Sequence, residues 1–367
     1  MKKILLTIGD ISITGGAERV VVNLANALSE KGHNVEILSF YQTNETLPYH
    51  IDENIKLHFW HNISESTLRE QMCRNKLSKI YYKNAYKFML SLRVYRTYAH
   101  FDSIIANDST YIPFIKHKWA RYIRLIHLNF GVYNRRNNFF HTLIILSAKE
   151  LSLWQSYRNN VKVIPNFLPA LPTKSTDTTQ KRILSVGRMD RGDQKGFLRL
   201  IDIWALAQKR LQSSMPPPPL HSWQLIIVGE GEMKTQIESK IKEKNLQDSI
   251  LLKPFTQNIE SEYLNASIYA MSSHYEGFPM VLLESCSFGL CPIAFDIKTG
   301  PSEIIEDSKT GFLVQDNDLQ GFADKLIELM SDESKRKTLG EAAKIRVTQR
   351  LSKQAIMPLW EEVLGGK

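Results

Sequence analysis

Short apolar runs alternate with stretches of helical period along most of the chain. The run "KILLTI" leads into the Gly-rich turn "TGGAE", then "RVVVNLANALSEKG" and a second apolar run, "NVEILSF". In the middle stretch Val20, Leu24, Ala27 and Leu28 share one stripe and Gly32 ends it, which predicts strand, turn, helix, strand. Further strands are expected at "SIIA", ending at Asn107, and "YIRLI", ending at His127. Buried runs of this length between helices predict a parallel α/β sheet.

The pattern restarts at "RILSVG". A polar loop, the helical stretch "FLRLIDIWALAQKRL" and the run "WQLIIVGEGE" follow, then a charged helix, "ILLKPF", "SIYAMSS", a helix from about Pro279, "CPIAF" and "GFLV". Between the halves, "PNFLPALPTKSTDTTQ" has the composition of a linker. "SSMPPPPLHS" predicts an extended polyproline connection before a strand. Two linked units of this kind predict a cleft between their strand ends, where such sheets bind ligands.

A length of 367 residues suits two domains, and 43% hydrophobic with 23% charged residues suits a globular chain. No apolar run approaches the ~20 residues of a membrane span. The opening "MKKILLTIGD" superficially resembles a secretory leader, but its apolar run of about five residues lacks a cleavage site and reads as a first strand. Cys73, Cys286 and Cys291 lack zinc-ligand spacing and cannot all pair, which points to a reducing cytoplasm. The net charge of +9 is uneven: residues 1–180 carry 23 cations against 13 acids, or +10, and residues 181–367 carry 24 against 25, or −1. The first half is therefore expected to meet an anionic partner.

Candidate chemistry concentrates in "SSHYEGFPMVLLESCSFG", residues 272–289, where Glu276 and Glu284 flank an apolar stretch. Pro279 suits the first turn of a helix. The N–H groups of Met280 and Val281 would then favour phosphate oxygens. Glu284, one turn inside, suits hydrogen bonds from sugar hydroxyls such as a ribose diol, while Glu276 could face a reacting sugar. Taken alone, the pair reads more simply as a loop carboxylate, Glu276, and a solvated helix residue, Glu284.

This segment resembles the E-x7-E motif of retaining GT-B glycosyltransferases, notably family 4. "GGAER" (15–19) resembles the family's N-terminal glycine loop, "VGRMDRGDQKG" (186–196) its cationic phosphate segment, and "IIVGEGE" (226–232) the strand and turn that follow. The resemblance implies two Rossmann-like, doubly wound parallel-sheet domains facing across a cleft. They are an acceptor-side domain at 1–168 and a nucleotide-sugar domain at 181–350, joined by a linker at 169–180, with a helix at 351–367 packing back on the first domain. Arg188 and Lys195 would hold the donor diphosphate, although six residues separate them, more than the family's compact loop. Gly15 and Gly16 would admit the donor close to the backbone, and His127 would meet the transferred sugar. Gly229, Gly231, Gly277 and Phe278 complete the implied donor edge with Glu276, Pro279, Met280, Val281 and Glu284. The implied reaction retains anomeric configuration, moves a hexose or N-acetylhexosamine from a UDP-linked donor, and requires no metal or cofactor. The implied acceptor is a saccharide or lipid-linked saccharide of bacterial O-antigen, capsule or lipopolysaccharide. The D-x-D lookalike "DND" (316–318) reads as a helix cap at Asp318, and Asp190 and Asp193 are weak candidates for a metal, so none is expected.

Residues 71–101 contain seven cations and no acid. As one helix, they would align Lys76, Lys79, Lys83 and Lys87 on one face and Leu77, Tyr81, Phe88, Leu92 and Tyr95 on another. That pattern suits an anionic membrane surface, and peripheral attachment at the inner face of the plasma membrane is expected. An ordinary helix with a solvated cationic face is the alternative. A nucleic-acid-binding protein with an idle second half is the competing function; no RNA or DNA motif accompanies the basic residues, so no nucleic-acid partner is expected. A nicotinamide enzyme would need G-x-G-x-x-G directly after a strand, which the first turn lacks.

Overall fold

A computed structural model describes residues 1–213 and 223–365. Its chain divides into two compact units, Met1–Pro169 with Ile356–Lys367, and Ala170–Ala355. The polyproline connection expected after Ser213 lies outside the described residues.

The first unit is built on seven parallel strands: β1 (Lys3–Asp10), β2 (Asn34–Tyr41), β3 (Lys56–His61), β4 (Ser103–Ala106), β5 (Arg121–Leu125), β6 (Thr142–Ile145) and β7 (Val161–Val163). Their order is β3-β2-β1-β4-β5-β6-β7. Strand β1 lies inside the sheet, with Ile4 opposite Val35 on one side and Ser103 on the other. Both faces of such a strand are covered, so it reads as a continuous apolar run rather than an alternating one. The helix Gly16–Glu30 covers one face through Val20, Val21, Leu24 and Leu28. Gly32, at φ +84°, adopts the left-handed conformation that ends it. The final helix, Lys353–Gly365, is tied to this unit from Ile356 onward: His33 Nε2 lies 2.8 Å from Glu361, and Arg121 donates to the Val363 carbonyl at 3.0 Å.

The second unit repeats the plan with six parallel strands: β8 (Arg182–Val186), β9 (Gln224–Val228), β10 (Ile250–Lys253), β11 (Ile268–Met271), β12 (Cys291–Asp296) and β13 (Phe312–Gln315). Their order is β10-β9-β8-β11-β12-β13. In each sheet the winding reverses beside the first strand, between β1 and β4 and between β8 and β11. The carboxyl ends at such a reversal diverge and leave a crevice for ligands. The segment after Ala170 is bound into this unit, with the Thr176 N–H donating to Phe288 at 2.8 Å and the buried Arg336 donating to the Thr178 carbonyl.

The basic segment departs from the single helix expected of it. It forms a helix at Lys76–Tyr81, a π-helical turn at Tyr82–Tyr86 and a helix at Lys87–Thr97. A π turn bonds i to i+5 and so holds one extra residue, which rotates everything after it by roughly 100°. Its cause is aromatic packing. Tyr82 and Tyr86 stack at 5.2 Å and point inward, and Leu90, Val94 and Tyr98 continue that buried stripe. Consequently Leu77 (78% exposed), Tyr81 and Phe88 face solvent, and Leu92 and Tyr95 are half-buried. Lys76 and Lys79 are exposed as expected, and the side chain of Lys83 lies outside what the structure describes. Lys87 leaves the lysine face altogether: it is half-buried, and its Nζ donates to the Ser109 carbonyl at 2.6 Å. Among the described residues, no helix is long and apolar enough to cross a membrane.

Candidate active site

Two loops leave the winding reversal of the second sheet, one after β8 and one after β11, and hydrogen bonds join them along their length. The His274 N–H donates to the Gln194 carbonyl at 2.8 Å, Gln194 Nε2 donates to the Tyr275 carbonyl at 3.1 Å, and Ser272 Oγ donates to Gly196 at 2.8 Å. At the tip, Lys195 Nζ donates to Glu276 Oε1 at 2.8 Å. Lys195 is 20% exposed and Glu276 8%, so the pair is largely withdrawn from water. Arg188 differs: it is 64% exposed, and among the described residues its guanidinium pairs with the surface carboxylate of Asp190, at 3.1 Å. The six residues between the two cations form a folded turn, with Gly192 at φ +85° and Asp193 at φ +50°, so the longer loop still returns Lys195 to the crevice.

Beneath these side chains the glycines serve the loops themselves. A Cβ on Gly229 would stand 1.9 Å from the Gly187 carbonyl oxygen, so only glycine lets the turn after β9 lie against the start of the Arg188 loop. The contact continues through Met189 N–H to Glu230 and Met233 N–H to Met189, with Gly231 at φ +150° between them. Gly187 lacks a Cβ where one would stand 2.7 Å from Lys195 Cγ, in the path of that stem. The helix Met280–Ser287 begins after Pro279, which occupies the cap position with extended backbone rather than the first turn. No side chain caps that end, and Phe278 and Met280 are buried beside it. Glu284 is not solvated. It is 6% exposed and accepts from the Tyr263 hydroxyl at 3.0 Å.

Gly15, Gly16 and His127 belong to the first unit, at the carboxyl ends of its strands. Gly15 caps the helix Gly16–Glu30 with extended backbone and accepts from the Tyr49 hydroxyl at 3.0 Å, whereas Gly16 borders open space. His127 Nε2 lies 3.2 Å from Asn107 Oδ1. The amide nitrogen of Asn107 is spent on the Thr7 and Ile105 carbonyls, so its oxygen must accept and His127 must carry its proton on Nε2. Burial, helped by the neighbouring Arg124, pushes His127 down to about 4. The ring is therefore neutral at physiological pH, with Nδ1 left as an acceptor.

Residues 171–346 match the family model described as Glycosyl transferases group 1. The amylovoran biosynthesis glycosyltransferase AmsD of Erwinia amylovora is 28% identical over 100% of both chains. A Campylobacter jejuni relative, the GalNAc-alpha-(1->4)-GalNAc-alpha-(1->3)-diNAcBac-PP-undecaprenol alpha-1,4-N-acetyl-D-galactosaminyltransferase, is 28% identical over 94% of each chain. Among solved structures, TarM superposes with a TM-score of 0.78 at 17% identity over 100% of this chain and 99% of that one. The lipopolysaccharide outer core galactosyltransferase WaaB gives 0.73 at 19% identity over 99% of each. The chain is a glycosyltransferase of the GT-B fold.

Within this glycosyltransferase the second unit brings Arg188, Lys195, Glu276, Gly277, Phe278, Pro279, Met280, Val281 and Glu284 to the loops and helix following β8 and β11. The aspartates singled out in the sequence have structural partners. Asp193 accepts from the Phe197 and Leu198 N–H groups, and Asp318 accepts from Gly321 as a helix cap. Asp316 pairs with Arg199, a residue that sequence reasoning missed. Arg199 is buried, lies 4.2 Å over the Phe295 ring, and donates to the Ser272 and Ser273 carbonyls at the root of the Glu276 loop. Thr299 was missed as well: its hydroxyl donates to the Glu276 carbonyl at 2.6 Å. The only signals for them were an arginine on an apolar helix and a Thr-Gly-Pro turn.

Proposed function

We propose that this glycosyltransferase is a family 4, retaining enzyme that moves a hexose or N-acetylhexosamine from a UDP-linked donor to a saccharide or lipid-linked saccharide acceptor of a bacterial surface polysaccharide. The observation that carries the reading is the Lys195–Glu276 pair beside the exposed Arg188, at the point where the second sheet reverses its winding. Cations belong where a nucleoside diphosphate departs, and a carboxylate they hold belongs beside the sugar. Lysine has three donors, so Nζ can keep Glu276 and still meet a phosphate oxygen. Arg188 offers a planar fork to the same group. The uncapped first turn at Met280 and Val281 supplies N–H groups for a phosphate, and Glu284 is assigned to the ribose diol.

Leaving charge is taken up by these protein groups, and this reading requires no metal. Glu276 is assigned to the transferred sugar, where it positions hydroxyls and favours the positive charge that develops on the ring. The backbone at Gly15 and Gly16 and the acceptor nitrogen of His127 are assigned to the donor's phosphates and sugar hydroxyls. Support for the donor and acceptor classes comes from relatives: one solved neighbour, Anabaena HepE, was crystallised with UDP and glucose, and the Campylobacter jejuni enzyme is named for an undecaprenol-linked glycan.

The test is to offer UDP-hexoses and UDP-N-acetylhexosamines with a membrane extract and read the anomeric coupling of the product by NMR. Retention predicts an α-linked product from an α-linked donor. A β-linked product, or no turnover of any nucleotide sugar, would sink the reading.

A further inference from the structure

The first unit contains a pocket of about 500 Å³ that none of the assignments above uses. Arg69, Lys79, Lys87 and Arg136 contribute four positive charges to its wall and Glu65 one negative, a balance of 4 − 1 = +3. The one carboxylate is partly engaged, accepting from the Tyr82 hydroxyl at 3.2 Å. Lys87 is tied to Ser109 just beyond β4, and Arg136 is steadied by Asn84 at 3.2 Å. Burial first, then the charges of Arg136 and Arg124, pull the Lys87 ammonium below its ordinary range against the opposing carboxylates of Glu65 and Asp108. The buried Nε of Arg124 has no hydrogen-bond partner among the described residues. Gathering like charges in a partly dry hollow is unfavourable unless an anion shares them. Glu65 and, outside the wall, Asp108 offset only part of that charge, whereas a diphosphate would match it. The volume lies in the range of small-molecule sites.

We propose that this pocket binds a phosphate or diphosphate group carried by the acceptor. The inference rests on the transferase reading above, in which the donor's own diphosphate is held by the second unit. The helix that contributes Lys79 also exposes Leu77, Ile80 and Tyr81, apolar surface that suits a lipid-borne phosphate; a soluble phosphodiester polymer offers the same anion.

Cys73 gives a local readout. It lines the pocket and is accessible, while Cys286 and Cys291 are buried. Its alkylation by N-ethylmaleimide is timed with and without inorganic pyrophosphate. Pyrophosphate is expected to slow the reaction. Lys87→Met, Arg136→Gln and Arg69→Gln are each expected to weaken that protection about tenfold, the loss of one charge-assisted hydrogen bond. Arg69 is exposed, so its variant remains informative if the other two fold poorly. Arg188→Ala should leave protection unchanged, which separates this pocket from the donor assignment and keeps the result meaningful if that assignment fails. Phosphatidylcholine vesicles bearing a polyisoprenyl diphosphate and soluble poly(glycerol phosphate) then identify the source: protection by the first assigns a lipid-borne group, by the second a polymer. The proposal is overturned if none of these anions slows alkylation, or if protection survives in all three variants.

Discussion

Replacing Arg188 by alanine lowers kcat/KM for sugar transfer by about a hundredfold or more, the usual loss when one donor to developing negative charge is removed. The thermal midpoint stays near that of the parent, because Arg188 is exposed and its ion pair with Asp190 is a surface contact. Lys195→Ala should lose as much activity but behave differently in urea. Glu276 then becomes a nearly buried carboxylate without its cation, at a cost of roughly 2 kcal/mol after allowance for the partial exposure of Lys195. Steady-state kinetics and urea titration on the two variants check both halves. Equal activity of Arg188→Ala and the parent would remove the phosphate clamp from the account.

The largest effect on stability is expected at Arg199. Its guanidinium donates to the Ser272 carbonyl at 2.5 Å and to the Ser273 carbonyl, both buried, and reaches Asp316 at 2.8 Å and Asn317 at 3.0 Å nearer the surface. Arg199→Met keeps most of the volume but abandons two buried carbonyls and a carboxylate together, and should lower stability by about 3 to 5 kcal/mol. Lysine cannot replace it, since one ammonium does not reproduce a planar fork spread over four acceptors. Urea unfolding reads the loss, and Arg199→Met/Asp316→Asn should recover part of it. A loss within about 0.5 kcal/mol of the parent would mean the Glu276 loop is anchored by something else.

Much of this architecture could be read from the amino-acid order because the inner strands of both sheets are covered on each face. Burial turns β1, β8 and β11 into uninterrupted apolar runs, and the glycine that ends the first helix marks its own boundary. The site was legible as far as its parts are consecutive: the cationic loop and the paired glutamates each lie within one short stretch. What the order concealed depends on contacts between distant segments. Arg199 meets Asp316 across 117 positions, and nothing in either neighbourhood announces the other. Gly229 has no room for a Cβ because of a carbonyl at residue 187, a contact that its own stretch does not announce. The segment at 71–101 misled for a third reason. Its side-chain pattern fits an uninterrupted helix, but the inward packing of Tyr82 and Tyr86 inserts a π turn that no count of 100° steps contains. That one turn moved Lys87 from a presumed membrane face into a pocket.

A crystal structure with a UDP-hexose bound tests the central claim most directly. The account predicts diphosphate oxygens within hydrogen-bond distance of both the Arg188 guanidinium and Lys195 Nζ, the ribose on Glu284 and the hexose on Glu276. A donor seated elsewhere, with those two cations still paired only to Asp190 and Glu276, would contradict it.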